Sequence, residues 1–533
     1  MDWKKLIGLT IIVGFIAGCS KDMLDIDPKN QVLENNFYQT REDFEAALIS
    51  AYDPISWVFH WGASTFVTLN VASDDANAGG TPGGQDIMAY QGADKFTLTP
   101  GTERIESLWR KYYVGIYRSN LVIEHADTSD KALDEIIAEA KFLRAYYYFD
   151  LVRYYGDVVL LDHIATVDEY SLSRTLAGDV YAFIVNDLRE AIPVLPDKNK
   201  RTKNQLFRAT KSAAQALLGK VYLFMSSPAI NCGNYYQQAA DLFGTIIKSG
   251  VYDLFTDYDM NFQATHEHGI ESIFELEYTS AINSTFQADP YTGYSYDEAS
   301  VDFKLCGIRE WSQGSNTSVV NLQAGWGFMK PTRELVEAYI AANDQVRLNY
   351  TIYLGNPMSP EIDTAFNFYL GEYGTWGIEE EESEDFEGFF RRKYRYDNNY
   401  VVGDISYLNM NIIRYADVLL MMAECMVNGA TDTYNGNTAG YYVNRVRNRV
   451  NLPSLASVTM DDIKKERRLE FAFEMIRYWD LIRWGDADIV FNNYKPGKGY
   501  HWNPAKKGLW PIPLVEINRS GGSLTQNPGY INE

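Results

Sequence analysis

Leu217-Leu218-Gly219-Lys220-Val221-Tyr222, followed by Tyr236, Ala239, Ala240 and Phe243, is the stretch that decides the fold. The second group recurs at i, i+3, i+4 and i+7, one face of an α-helix. Around these residues the helical period runs from Thr210 to Met225 and from Tyr235 to Ser249. Small residues on facing sides let two antiparallel helices approach, and the large rings fill the gaps beside them. The same mixture returns looser in Ala416, Leu420, Ala423 and Glu424 with Tyr442 and Val443, and in Ala138 to Arg153 paired with Val180 to Ile192.

Such pairs resemble tetratricopeptide repeats, which stack into a curved scaffold. Outward from them, Thr40 caps a helix with Asp43 three residues on, and Phe44, Ala47, Leu48, Ala51 and Tyr52 line its face. Ile105, Leu108, Trp109, Tyr112 and Ile116 make another stripe, and Leu133 to Tyr155 a third that stops at Gly156. Asp179 to Ile192 stops at Pro193 and Pro196, and further helices are expected over Thr332–Ala342, Ile412–Asn428 and Thr459–Trp484. Strand alternation is rare, and Gly156 to Leu161 reads as a short extended link. The expected fold is mainly α, a tetratricopeptide-like α superhelix with a long, irregular, loop-rich ligand-binding half. One domain is expected over 40–533, its N-terminal part about 40–250 and its C-terminal part about 270–533.

Trp57–Pro100, Glu277–Met329 and Tyr350–Tyr407 lack a helical period. Unpatterned stretches of this length are functional or disordered, and these are too aromatic for disorder. The acidic run Glu379 to Asp385 is the exception and reads as a solvated excursion.

At the start of the chain, Lys4 and Lys5 precede an apolar run from Leu6 to Ala17, then Gly18, Cys19 and Ser20. A positive start, a short apolar core and small residues before the cut define a secretory signal over 1–18. Its core is shorter than the ~20 apolar residues of a membrane-spanning helix. Ile16-Ala17-Gly18-Cys19 looks like a bacterial lipobox, with Cys19 acylated and 19–39 a flexible tether. The stretch Ser20 to Pro28 resembles the short acidic export signal of surface lipoproteins, which would place the body on the outside of the cell.

A formal charge of −23 argues against nucleic acid, which demands a basic face. With Cys19 spent on lipid, Cys232, Cys306 and Cys425 remain, without CxxC spacing. The 39 tyrosines and 11 tryptophans offer faces for sugar rings and polar edges for hydroxyls, but large helical folds also fill cores with them. Catalytic motifs are wanting: no HExxH, P-loop, GxGxxG or GxSxG occurs, and no carboxylate pair stands out from the 71 acids. His266-Glu267-His268 lacks further metal ligands nearby, and the loop begun by Asp257, Asp259 and Asn261 has Phe262 and His268 where an EF-hand needs glycine and glutamate.

Several segments together resemble the SusD/RagB family of outer-membrane nutrient-binding lipoproteins, nearly end to end. They are the lipobox, Trp109 to Tyr113 with Ile116 and Asn120, Ala138 to Asp157, Arg414 to Glu424, Glu466 to Trp484, Pro511-Ile512-Pro513 and Gln526 to Tyr530. Phe473-Glu474-Met475-Ile476-Arg477 departs from the glycine the family commonly carries before the arginine. Glu470, Glu474, Arg477, Asp480 and Arg483 fall at i+3 or i+4 spacing, as charge pairs along one scaffold helix. The resemblance implies a non-enzymatic protein anchored at the cell surface, capping a SusC-like TonB-dependent barrel and passing it a glycan. A peptide ligand, as for some RagB-like members, is the runner-up, and a surface adhesin or scaffold the competing class. No cofactor is implied, and structural calcium on loop carboxylates stays open.

A glycan platform needs solvent-facing rings and a few polar groups to orient hydroxyls. Rings within helices, Trp109, Trp479 and Trp484, are set aside. The expected contacts are Trp61, Asp74, Asp75, Tyr90, Tyr294, Tyr296, Trp311 and Trp376, with the aspartates alternatively capping a turn.

Overall fold

The computed structural model describes residues 37–59, 64–81, 86–103, 105–278, 287–288, 295–297, 302–309, 324–354, 387–394, 401–402, 405–493 and 500–530. Its helices are α1 (Arg41–Tyr52), α2 (Thr65–Val71), α3 (Met88–Asp94), α4 (Glu106–His125), α5 (Asp134–Tyr155), α6 (Ala177–Ala191), α7 (Lys211–Ser226) and α8 (Tyr236–Lys248). Further on come α9 (Asp302–Leu305), α10 (Arg333–Ala341), α11 (Gln345–Thr351), α12 (Tyr415–Val427), α13 (Ala439–Arg449), α14 (Met460–Glu470), α15 (Arg477–Trp484), α16 (Ala487–Asn493) and α17 (Leu514–Arg519). Helices successive in the chain pack on one another from α4 to α8; α8 then lies on α12, which carries α13 and α14. The three expected pairs, α5/α6, α7/α8 and α12/α13, are therefore all formed, and α8 against α12 joins them into one stack.

Close approach explains the small residues. A Cβ on Gly219 would stand 2.5 Å from the Phe243 ring, and one on Gly115 would stand 2.3 Å from the Tyr147 ring. Each glycine makes room for a ring from the next helix. The α1 cap is also as read: Thr40 Oγ1 accepts from the Asp43 backbone at 3.2 Å, and the Asp43 carboxylate accepts from the Thr40 backbone at 2.8 Å. α5 is wrapped on nearly every side, with Phe142, Tyr147, Tyr148, Tyr154 and Tyr155 fully buried. Tyr154 meets Trp479 and Trp510 edge to face at centroid distances of 4.9 and 4.8 Å. Trp109, Trp479 and Trp484 are buried, as their helical positions imply.

Two expected helices are corrected. The helix from Ile412 begins only at Tyr415, because Met410 to Arg414 is a strand pairing antiparallel with Ser272 to Leu276. The β-branched Ile412-Ile413 suits that strand. The single helix from Thr459 to Trp484 is two, parted at Phe471–Ile476, where Phe473 and Met475 have φ of 63° and 59°. No proline or glycine announces this break. Tertiary partners take the carbonyls that would continue the helix: Leu469 O accepts from Tyr339 Oη at 2.8 Å, and Glu470 O from Tyr258 Oη at 2.9 Å and Arg414 Nη2 at 3.0 Å.

The strands are short: β1 (Val58–Phe59), β2 (Ala76–Gly79), β3 (Ser272–Leu276), β4 (Gln287–Ala288), β5 (Ser295–Asp297), β6 (Ile308–Arg309), β7 (Ala324–Gly325), β8 (Phe328–Pro331), β9 (Ile352–Leu354), β10 (Phe389–Arg391), β11 (Val401–Val402), β12 (Ile405–Ser406) and β13 (Met410–Arg414). They form pairs and one three-stranded sheet. The stretch from Trp57 to Pro100 is less irregular than its sequence pattern, since it holds β1, α2, β2 and α3.

Candidate functional site

The stretches expected to carry ligand contacts are tied at their bases by these strand pairs. β6 and β7 run parallel, Ile308 opposite Ala324, and close the chain over 310–323. β9 and β10 run antiparallel, Leu354 opposite Phe389, and close 355–386. β5 pairs with β1 and with β4, so that Tyr296 stands opposite both Phe59 and Gln287. β2 and β8 tie Ala76 to Pro331.

The first two stems adjoin. β7 leads through Trp326 and Gly327 into β8; Trp326 N donates to Lys304 O at 2.9 Å, Gly327 N to Gly307 O at 3.0 Å, and Gly80 N to Gly327 O at 3.0 Å. β8 in turn lies against β10, with the buried Lys330 ammonium 4.5 Å from the Phe390 ring centroid. The segments holding Trp311 and Trp376 are thus rooted on one foundation.

Trp61, Tyr294, Trp311, Trp376 and the lipidation residue Cys19 lie outside the described residues. Tyr296 is placed by its backbone on β5. The remaining three expected contacts are corrected, because they are buried and already engaged. Tyr90 on α3 is fully buried, packs edge to face on Phe328 at 5.3 Å, and its hydroxyl accepts from Ser64 N at 3.3 Å. Asp74 receives Arg477 Nε and Nη2 at 2.8 and 2.9 Å. Asp75 receives Arg468 Nε at 2.7 Å. The Asp74 and Asp75 carbonyls accept from Thr332 Oγ1 at 2.9 Å and Thr332 N at 3.0 Å. Burial opposes the Asp74 charge, but Arg468 and Arg477 outweigh it and hold the carboxyl well below the usual range. Burial pushes the Asp75 carboxyl up despite Arg468. The two aspartates pin the foundation of the loops to α14 and α15, a scaffold role.

The charges expected to pair along one helix instead pair between elements. Arg414, at the end of β13, reaches Glu271 at 2.7 Å, Glu470 at 2.5 Å and Glu474 at 2.8 Å. Arg347 on α11 meets Glu466 and Glu470 at 2.8 and 2.9 Å, and Arg449 on α13 meets Glu271 and Glu470. Arg467 joins Asp417 and Asp480, and Arg483 joins Glu424 and Asp480. Every one of these side chains is buried, that of Arg449 included although its residue as a whole is partly exposed. Each carboxylate has at least two donors, the condition under which buried charge is tolerated. Of the expected i+3 or i+4 pairs, Asp480–Arg483 is formed.

The His266-Glu267-His268 motif sits at the root of β3. Glu267 accepts from Asn409 N at 2.8 Å, and burial pushes its carboxyl up to about 7. His268 lies 3.4 Å from Glu275 and 3.2 Å from Glu277. Among the described residues no three His, Cys, Asp or Glu side chains are arranged to hold a metal ion, and no helix is long and apolar enough to cross a membrane. Asp257 caps its own turn, accepting from Asp259 N at 3.0 Å.

The described residues thus form a helical stack with short strand pairs at the bases of several long segments. Two family profiles match the chain: "SusD family" over residues 270–530 and "Starch-binding associating with outer membrane" over residues 67–223. The chain belongs to the SusD family. "SusD-like protein P2" of Formosa agariphila is 26% identical, the match covering 99% of this chain and 100% of the relative. A SusD-like protein of Bacteroides ovatus is 27% identical over 90% of this chain and 82% of its own length. Among solved structures, a "Laminarin binding SusD-like protein" superposes with a TM-score of 0.78 at 28% identity, covering 92% of this chain and 100% of that one. Surface glycan-binding protein A from Bacteroides thetaiotaomicron, in complex with laminarihexaose, gives 0.75 at 27% identity, covering 92% and 100%.

Proposed function

We propose that this protein is a surface-exposed lipoprotein that captures an oligo- or polysaccharide and delivers it, without catalysis, to a SusC-like TonB-dependent barrel in the outer membrane. The observation that carries the reading is the likeness of 92% of the chain to a glycan-binding protein with laminarihexaose bound. The same likeness favours a glycan over a peptide. The adjoining strand pairs at the bases of the segments that hold Trp311 and Trp376 support it, as does the backbone pairing of Tyr296 on β5 with β1. Buried helical rings cannot stack on a sugar, so these loop rings carry the contact in this reading. Acylation of Cys19 holds the protein at the membrane, since each buried CH₂ contributes about 0.8 kcal/mol. A glycan-binding fold fused to a lid function needs the anchor to stay beside its barrel, which the tether over 19–39 supplies.

The test is purification of the anchored protein in mild detergent with proteinase treatment of intact cells. Co-purification of a SusC-type barrel, loss of the protein to the proteinase, and release from the membrane on Cys19→Ala are expected. A protein protected in intact cells, or one that stays membrane-bound without Cys19, overturns the localisation. Purification without a barrel overturns the delivery step.

A further inference from the structure

A cleft of about 700 Å³ opens on another part of the molecule, between the loop that follows α3 and the C-terminal segment. Phe96 and Thr97 line one side, and Trp502, Asn503, Lys506 and Tyr530 line the other. None of these residues belongs to the strand-paired stems. The two walls are held together by backbone bonds, His501 N donating to Lys95 O and Leu514 N to Pro100 O, both at 2.9 Å. The volume lies within the range of small-ligand sites, roughly 300–1,000 Å³.

Its chemistry is unlike the rest of this acidic chain. Among the described residues no aspartate or glutamate lines the cleft, although the net charge is −23. Lys506 is half-buried and has no carboxylate partner among the described residues; its ammonium lies 4.1 Å from the Tyr530 ring centroid. Burial alone lowers its pKa from the ordinary lysine range, the mark of a cation without a counter-ion. Trp502 is fixed in place, its indole N–H on Asp488 at 2.8 Å and its ring edge to face with Phe96 at 5.1 Å, yet it stays half-buried at the cleft wall. The Asn503 carbonyl oxygen accepts from Ala505 N at 3.0 Å, while its amide nitrogen makes no hydrogen bond to a described residue. His501, exposed on the rim, adds a second nitrogen donor.

We propose that this cleft is a second saccharide site, selective for a sugar unit that carries a carboxylate. Lys506 pairs with the acid, Trp502 and Phe96 pack against the C–H face of the ring, and Asn503 and Thr97 hydrogen-bond its hydroxyls. A carboxylate fits because, among the described residues, the cleft lining supplies one cation without a carboxylate partner and no acid, the nearby Asp488 being engaged by the Trp502 indole N–H. A neutral ring finds the same walls but leaves Lys506 without a counter-ion. A charge-assisted hydrogen bond is worth about 1.5–3 kcal/mol, so the acid should be preferred by about tenfold or more.

The test is calorimetry of the purified full-length protein in detergent with trigalacturonic acid and with its neutral methyl ester. The acid should bind about tenfold or more tightly than the ester. Lys506→Met, which keeps the length of the stem, should reduce acid binding to the level of the ester, and Trp502→Ala should weaken both. Tyr441→Ala, at an exposed ring on α13 that lines neither the cleft nor the stems, should leave acid binding unchanged. The preference for acid over ester, with its dependence on Lys506, is a readout the loop reading does not predict, so failure here is separable from failure of that reading. Equal affinity for acid and ester overturns the proposal. So does unchanged acid binding in Lys506→Met, loss of it in Tyr441→Ala, or no heat with the acid up to about 10 mM, the weak end of the millimolar range.

Discussion

Tyrosine and tryptophan are patterned differently in the helical stack and in the loop-bearing side, and the difference bears on when aromatic composition says anything about function. In α5, Tyr147, Tyr148, Tyr154 and Tyr155 fall at helical spacing and are fully buried. Tyr147 fills the space that Gly115 leaves open, and Trp479 and Trp510 pack on Tyr154. In the loop-bearing side the rings lie off any helical period, on segments whose bases are strand pairs. A high tyrosine count is therefore a packing signal wherever it is periodic. It becomes a binding signal only where the period fails and a rigid stem stands beneath. Tyr90 marks the limit of that rule, since it lies in a stretch without clear period and is nonetheless core.

If the two regions are so divided, substitutions in the stack should change stability, and substitutions in the loops should change binding. The largest effect is expected at Arg414, where Ala would leave Glu271, Glu470 and Glu474 buried around a missing cation. Removing one partner from a buried ion network costs about 3–5 kcal/mol. Denaturant unfolding of Arg414→Ala should show a loss of that size, and a loss below about 1 kcal/mol would mean the network is not what joins β13 to α14.

A smaller loss is expected from Gly219→Ala. The new methyl meets the buried Phe243 ring at 2.5 Å, and overpacking of this kind costs about 1–3 kcal/mol. Shrinking the ring in the same protein, Gly219→Ala with Phe243→Leu, should cost less than the two separate losses added together. Additive losses would show that the glycine does not serve the α7/α8 contact.

The smallest effect is a pH dependence at the root of β3. Glu267 titrates near 7 in the folded protein against an ordinary 4.5, so the folded state holds the extra proton in between. Stability from this group is fully present below about 4.5 and is lost as the pH rises through about 7. His268 is raised as well, Glu277 and Glu275 prevailing over its burial, and its contribution is lost in the same direction. Glu267→Gln keeps an oxygen to accept from Asn409 N. Its melting temperature should gain on wild type between pH 5 and pH 8, whereas parallel curves would place the Glu267 titration elsewhere.

The helical stack was legible in the sequence because each pair announces itself through small residues facing rings, as in Gly219 with Phe243. The caps at Thr40 and Gly156 were legible for the same local reason. The break at Phe471–Ile476 was not, because it comes from Tyr339, Tyr258 and Arg414 capturing carbonyls from far along the chain. Nor was the role of Asp74 and Asp75, since their arginines lie nearly 400 positions away. The segments expected to hold the ligand could be located by their lost period, but their short stems carry too few residues to show strand alternation. The cleft beside Trp502 was missed for another reason. Its residues sit in the closing segment, where Gln526 to Tyr530 read as a landmark of the fold and Lys506 carried no signal of being unpaired.

The division between stack and loops is tested most directly by the ligand itself. Once a panel of plant, host and microbial glycans has supplied a bound polysaccharide, Tyr296→Ala, Trp311→Ala and Trp376→Ala should be titrated by calorimetry beside wild type. Loss of a stacked ring costs about 1 kcal/mol or more, so at least one of the three should weaken binding fivefold or more while unfolding as wild type does. Wild-type affinity in all three would contradict the account and move the glycan away from these loops.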